Sequence, residues 1–403
     1  MKRLVSGSVL AAGAAIVLVS VTAWKRPDSE QDKAAQIARG RQVVIQTDCG
    51  GCHGGGSDPS AKNYLAGVVS PEMEFKIGPC AFDPNAKPCF TTRPKNITSD
   101  ITNGVGRYSE RQIFNALRYG LTPSKTPDVE ITGTTPGQGN FPAKPQYLAP
   151  PMPWISWRHK SDADLWAIAA YLKNGVKPNP NKVADSDAPP DGWASEMTVE
   201  KIGPYPVSAY PTANETGTVS PQIALGRQIV VSHACGECHG SGDDPAAKGF
   251  LAGRTVPTQD FKIGPCAFDP KATPCFTTRP KNLTPDNMTG TGRFTERQIY
   301  NALRYGLRPE ETPDAEITST TPGQGNFPLH PHYLAPPMPW TAWRHMSDDE
   351  LRAVAAYLKN GLKPMTNKVQ DSDGPPDFWA TEYTVSKIGP YPAKPFPTEN
   401  EKQ

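Results

Sequence analysis

The sequence predicts an all-α protein, two tandem helical domains wrapped in long Pro- and Gly-rich loops. Three observations carry this reading. Two halves of the chain repeat each other, and amphipathic helical segments recur at matching places with no convincing strand run. The composition, 37% hydrophobic with 45 prolines in 403 residues, suits compact helical cores carrying a great deal of loop.

The repeat has a constant offset. Cys49 maps onto Cys235, Cys80 onto Cys266, Cys89 onto Cys275 and Met152 onto Met338. FKIGPCAFDP occurs at 75–84 and 261–270, and TPGQGNFP at 135–142 and 321–328. This is a tandem duplication, and it divides the chain into domains at 25–212 and 213–403. Residues 1–24 stand apart. Lys2 and Arg3 precede an apolar run from Leu4 to Val21, and Val21-Thr22-Ala23 offers a small-residue cleavage site. The segment reads as a signal peptide or, since residues 4–24 are long enough to cross a bilayer, as an N-terminal membrane anchor. Either way the bulk of the chain is expected outside the cytoplasm, in a bacterial periplasm.

In order, residues 34–47 predict a helix with Ile37, Val44 and Ile45 on one face, copied at about 221–232. Gly40 and Gly226 fall at matching places inside these helices, which points to close packing against another helix. A glycine-rich loop follows, then a cysteine pair. Next comes a helix capped by Ser109 and ended by Gly120, with Ile113 and Leu117 inward and Thr295–Gly306 as its copy. Residues 121–146 are a long Pro/Gly/Thr loop. The last helix starts at Ser161, with Asp164 placed for a capping box, and buries Leu165, Ile168, Ala169 and Leu172. Its copy runs from Ser347 to Asn360. The Pro-rich tail after each last helix is itself repeated, so it is expected to wrap the domain surface in extended form.

The chemistry lies in Cys49-Gly50-Gly51-Cys52-His53 and Cys235-Gly236-Glu237-Cys238-His239. In an exported chain, C-x-x-C-H is read as covalent haem attachment. Two thiols form thioethers with the two vinyl groups of one porphyrin, and the adjacent His reaches the iron as axial ligand. A zinc site would need a second ligand pair per motif, and a thioredoxin-like site would sit in a βαβ pattern. The reading is therefore two haem C groups per chain, held by Cys49, Cys52, Cys235 and Cys238, with His53 and His239 on iron. The four remaining cysteines form one pair per repeat, most economically the disulfides Cys80–Cys89 and Cys266–Cys275.

Met152 and Met338, each bracketed by prolines in the octapeptide YLAPPMPW, are the candidates for the other face of each iron. A thioether stabilises ferrous iron and raises the potential, which suits an electron carrier. The other methionines outside the leader have no counterpart in the opposite copy. His159 and His345 are the rivals. Arg93, Asn96, Arg158, Arg279, Asn282 and Arg344 are candidate contacts to haem propionates. Trp154 and Trp340 are expected to pack on the haem. The formal net charge is +2, with no basic tail or stripe, and this excludes nucleic acid as a partner.

CGGCH and CGECH, RPKNITSD and RPKNLTPD, YSERQIFNALRYG, and the PPMPW…WRH-x-SD block resemble class I cytochromes c. They are similar to the tandem modules of dihaem cytochromes and of cytochrome c subunits of bacterial periplasmic dehydrogenases. The resemblance covers 36–177 and 222–363. It implies a small fold in which N- and C-terminal helices cross over a His/Met-ligated haem. It also implies redox proteins as donor and acceptor: a dehydrogenase on one side, a terminal oxidase or another cytochrome on the other. The expected function is single-electron transfer, with no catalytic residues. The alternative is a dihaem enzyme of the cytochrome c peroxidase type, which needs one iron with a displaceable ligand. Both copies keep Met in the same octapeptide, which argues against such a division of labour.

Overall fold

The computed structural model describes residues 29–68, 74–81, 85–187, 194–254, 260–267, 271–374 and 379–402. The leader expected at 1–24 lies outside the described residues. Among the described residues no helix is long and apolar enough to cross a membrane.

Each repeat opens with a helix, α1 (Glu30–Gln46) in the first. A single left-handed residue, Asp48 at φ 54°, turns the chain into the one-turn helix α2 (Cys49–His53). α3 (Glu110–Tyr119) carries the full capping box of Ser109 and Gln112 and ends on left-handed Gly120, as its sequence predicts. α4 (Trp154–Trp157) is a short turn after the methionine loop, and α5 (Asp162–Ala170) runs on into a π-helical turn at Tyr171–Gly175. α6 (Val199–Ile202) lies in the Pro-rich tail. The second repeat gives α7 (Pro221–Ser232), α8 (Cys235–His239), α9 (Glu296–Tyr305), α10 (Trp340–Trp343), α11 (Asp348–Ala356) and α12 (Val385–Ile388) in the same order. The expected capping box of the last helix is complete only in the second copy, where Glu350 replaces Asp164. The shorter Asp164 leaves Ser161 accepting from its backbone N–H alone.

The glycines inside the first helices mark where backbones touch. α1 crosses α5, and a Cβ on Gly40 would lie 1.9 Å from the Ala167 carbonyl oxygen. α7 crosses α11 in the same way, with Gly226 as close to the Ala353 oxygen. Around each crossing sits one apolar core. The first includes Val43, Val44, Leu65, Ile113, Leu117, Trp157, Leu165, Ile168 and Leu172. The second includes Val230, Leu251, Ile299, Leu303, Trp343, Leu351 and Leu358.

The all-α expectation needs correction. The chain is mostly helical, but β1 (Phe75–Ile77) pairs antiparallel with β2 (Phe90–Thr92), and β3 (Phe261–Ile263) with β4 (Phe276–Thr278). Three-residue strands are too short to show a period of two. The predicted disulfides Cys80–Cys89 and Cys266–Cys275 form, with Cα atoms 5.3 Å apart, and each closes the loop between the two strands of a pair.

The Pro-rich tails do more than wrap their own half. Residues 179–187 run along the first repeat, where the Asn96 amide donates to the carbonyls of Asn179 and Asn181. The chain then crosses over. Glu215, 1% exposed, accepts from Arg227 and Tyr357 of the second repeat. Asn214 donates to Pro245 and Ala247, and its carbonyl accepts from the Lys363 N–H. The end of the second repeat returns the arrangement. Glu401, also 1% exposed, accepts from Arg41 and Tyr171 of the first repeat. Asn400 donates to Pro59 and Ala61, and its carbonyl accepts from Lys177. By the repeat offset Glu215 is the counterpart of Glu401, so the last residues of each repeat pack on the other, and the boundary at 212 falls just before this crossing. Arg39 ties them again by pairing with both Asp164 and Glu350, equivalent positions of the two repeats.

Two outcomes test this packing. Gly40→Ala and Gly226→Ala each place a methyl inside a backbone contact, an overpacking that costs about 1–3 kcal/mol. Denaturant melts of the holoprotein should show a loss in that range for both. Glu401→Gln keeps the shape but strips the charge from a buried pair, and breaking such a pair costs about 3–5 kcal/mol. The melt should fall accordingly, and truncation before residue 394 should reproduce the loss.

Candidate haem-binding sites

α2 and α8 present the two motifs. A Cβ on Gly50 would lie 2.0 Å from the Gly56 oxygen, and one on Gly236 as near the Gly242 oxygen. Only glycine lets the loop after each motif close over the helix. Cys49, Cys52, Cys235 and Cys238 are all unpaired, while the other four cysteines are in disulfides. Cys49 belongs to the first core, and Cys235 packs against the second.

The histidines are held by the backbone. His53 Nδ1 donates to the Lys95 carbonyl at 2.6 Å, and His239 Nδ1 to the Lys281 carbonyl at 2.7 Å. Burial pushes both rings below their ordinary pKa, so the neutral imidazole prevails. With the proton fixed on Nδ1, Nε2 keeps a free lone pair, the form that ligates iron. Lys95 is itself anchored, its ammonium donating to the carbonyls of Val183 and Ala184. Lys281 does the same with Val369 and Gln370. The lysine carbonyl thus sets the tautomer of each histidine, and the tail holds the side chain of that lysine. Nothing in the sequence singles out these carbonyls except that the RPKN block recurs.

Met152 is half-buried against the core that contains Cys49, and Met338 against the core that Cys235 joins. The same turn places both: Met152 N–H donates to Ala149 and Met338 N–H to Ala335, each at 2.9 Å. The rival histidines face elsewhere. His159 accepts from Arg158 Nε and packs on Tyr205, while His345 packs on Tyr391, so both look toward the tail segments.

The six candidate propionate contacts are engaged within the chain. Asn96 spends both amide hydrogens on Asn179 and Asn181, and its oxygen accepts from Thr98. Asn282 likewise holds Thr289, Met365 and Thr284. Arg93 pairs with Glu74 and the Asp185 carbonyl, and Arg279 with Asp260 and the Asp371 carbonyl. Arg158 donates to the carbonyls of Ile202 and Gly203, and Arg344 to those of Ile388 and Gly389. These residues tie the tails to the body of each repeat. Trp154 does not join the core holding Cys49. It stacks on Tyr147 and packs with Met197, its indole lying over Gly120, where a Cβ would meet the ring at 2.1 Å. Trp340 repeats this over Gly306, with Tyr383 in place of Met197.

The residues fit a covalently bound haem c. Unpaired thiols, a neutral His with a free Nε2 and a thioether on the same core form a soft donor set suited to iron. Sequence comparison agrees. Residues 37–175 match the cytochrome c family. The chain is 26% identical over 359 residues to the gluconate 2-dehydrogenase cytochrome c subunit of Pantoea cypripedii, covering 85% of this chain and 64% of that protein. It is 27% identical to the cytochrome c subunit of the quinone-type alcohol dehydrogenase of Gluconacetobacter polyoxogenes, covering 86% of this chain and 60% of that one. The fructose dehydrogenase cytochrome subunit of Gluconobacter japonicus aligns at 23% over 67% of this chain and 45% of its own length. The chain therefore spans less than two thirds of the length of these relatives. The attachment motifs, the histidines held by backbone carbonyls and this alignment agree: residues 37–175 match the cytochrome c family, and the chain is similar over most of its length to cytochrome c subunits of bacterial dehydrogenases.

Proposed function

We propose that the protein is an exported dihaem cytochrome c that passes single electrons between redox partners. It would be organised as two domains, 25–212 and 213–403, with the C-terminal residues of the second packed on the first. Haem would be attached at Cys49 and Cys52 and at Cys235 and Cys238, with His53 and Met152 on one iron and His239 and Met338 on the other. The observation that carries this is the duplicated geometry: in both repeats a neutral His, held through Nδ1, lies beside two free thiols, with a Pro-bracketed Met on the same core.

Bound haem supplies a one-electron iron couple. The protein contributes the frame. The Lys95 and Lys281 carbonyls orient the imidazoles, the prolines around each Met stiffen the ligand loop, and the cores exclude water. The relatives are cytochrome subunits of dehydrogenases, so a dehydrogenase is the favoured donor, with an oxidase or another cytochrome as acceptor. The bacterial periplasm is the compartment that fits, with residues 4–24 as cleaved signal or retained anchor. A peroxidase-type enzyme finds no support, since the two methionine loops are built alike and the relatives are named as cytochrome subunits of dehydrogenases.

The oxidised holoprotein should show two equivalents per chain of the weak far-red band of ferric iron bound to thioether. Met152→Ala and Met338→Ala should each remove one equivalent. One equivalent in the unaltered protein, with high-spin features from the other haem, would overturn the electron-carrier reading.

A further inference from the structure

The two repeats differ where they meet. α4 packs against α7 and α10 against α1, so the turn after each methionine loop lies on the first helix of the opposite repeat. At the first of these seams Ser156 of α4 hydrogen-bonds to Asp243, four residues after His239. Lys160 Nζ lies 3.3 Å from His233 Nε2, just before Cys235. At the second seam the equivalent of Ser156 is Ala342, that of Lys160 is Met346 and that of Asp243 is Ser57, which hydrogen-bonds to Asp48, the residue before the first motif. Each repeat thus carries a carboxyl beside its attachment helix, but from a different position, and only Asp243 is bonded across the seam.

Asp243 is 6% exposed. Its Oδ2 meets Ser156, while its buried Oδ1 has no hydrogen-bond partner among the described residues. The groups around it are few. Arg158, at the end of α4, and Glu237, on α8, act on it from the two sides of the seam, and Cys235 lies within electrostatic reach. Arg158 is spent on the tail carbonyls, so no ion pair with the acid forms. A buried, unpaired carboxylate is costly, and the proton is its cheapest partner. Burial accordingly pushes the carboxyl up to about 7, against the pull of the Ser156 hydrogen bond.

We propose that Asp243 is the proton-accepting partner of the second redox centre. When a one-electron donor protein reduces the haem attached at Cys235 and Cys238, the site gains one negative charge, and a proton from solvent forms an O–H bond on the Asp243 carboxylate. On oxidation the electron leaves to the acceptor and the proton returns to solvent. The inference rests on the dihaem reading above. It makes the second centre sensitive to pH near neutrality through a carboxyl bonded across the seam, whereas Ser57 in the first repeat serves the acid Asp48 of its own repeat.

The test is spectroelectrochemical titration of both haems in the full-length holoprotein between pH 5 and pH 9. In the unaltered protein the potential of the second centre should fall as pH rises, by at most about 59 mV per unit, the one-electron equivalent of a tenfold change. Asp243→Asn should flatten that centre and leave the other as it was. Ser156→Ala keeps the acid but removes a hydrogen bond that favours its charged form, so the titration should move to higher pH. Flat potentials in the unaltered protein, or an unchanged slope in Asp243→Asn, would overturn the proposal. Failure of the dihaem reading would appear separately, as missing haem or a missing thioether band before any potential is measured.

Discussion

The backbone contact at Gly40, and its copy at Gly226, is the constraint on which the rest depends. With no side chain at that point, α1 rests directly on the Ala167 carbonyl of α5. This fixes the direction in which α1 ends and so the place where Asp48 reverses the chain into the attachment helix. The same crossing buries Val44, Leu165 and Ile168, the centre of the core on which Met152 packs. Donors from opposite ends of each repeat are therefore brought to one core by helix packing and not by the loops that carry them.

The tails form the second layer of organisation. A small helical module with long loops has little apolar area to bury, and here each module gains a strap from its neighbour. Glu215 and Glu401 are acids buried against an Arg and a Tyr of the opposite repeat, an arrangement that charge alone would not favour inside a protein. The Asn side chains beside them hold the backbone of the loop after each attachment motif. The exchange ties both attachment motifs into one unit. It also explains why the tail sequence is kept in each repeat: it completes a neighbour.

Divergence between the copies is concentrated around the attachment helices. The first repeat places Asp48 before the motif, with its side chain over Gly51, where a Cβ would come within 2.3 Å of the carboxylate. The second has Ala234 and Glu237 at those positions. The acid has moved, and the room for it has moved with it. Two motifs of nearly the same sequence thus sit in different electrostatic surroundings. In buried sites charge placement outweighs small changes in packing in setting the balance between protonation or redox states.

Much was legible from the sequence alone, because the signals were local or duplicated. C-x-x-C-H needs only five residues, the helix caps at Ser109 and Gly120 act within one turn, and cysteine pairing follows from counting. The repeat made Gly40 and Gly226 visible as a packing device. Four features were decided only by tertiary structure. The short strands at 75–77 and 90–92 have no period to read and depend on their disulfide-closed loop. The candidate propionate residues Asn96 and Arg158 turned out to hold the tails, since a polar side chain bonds whichever backbone the fold brings to it. The carbonyls that orient His53 and His239 carry no residue-type signal at all. The crossing of each tail to the opposite repeat was equally hidden, because a periodic sequence states that a segment belongs to the repeat but not which copy it packs on. That choice is made by contact geometry between the two halves, and it exists only once both have folded.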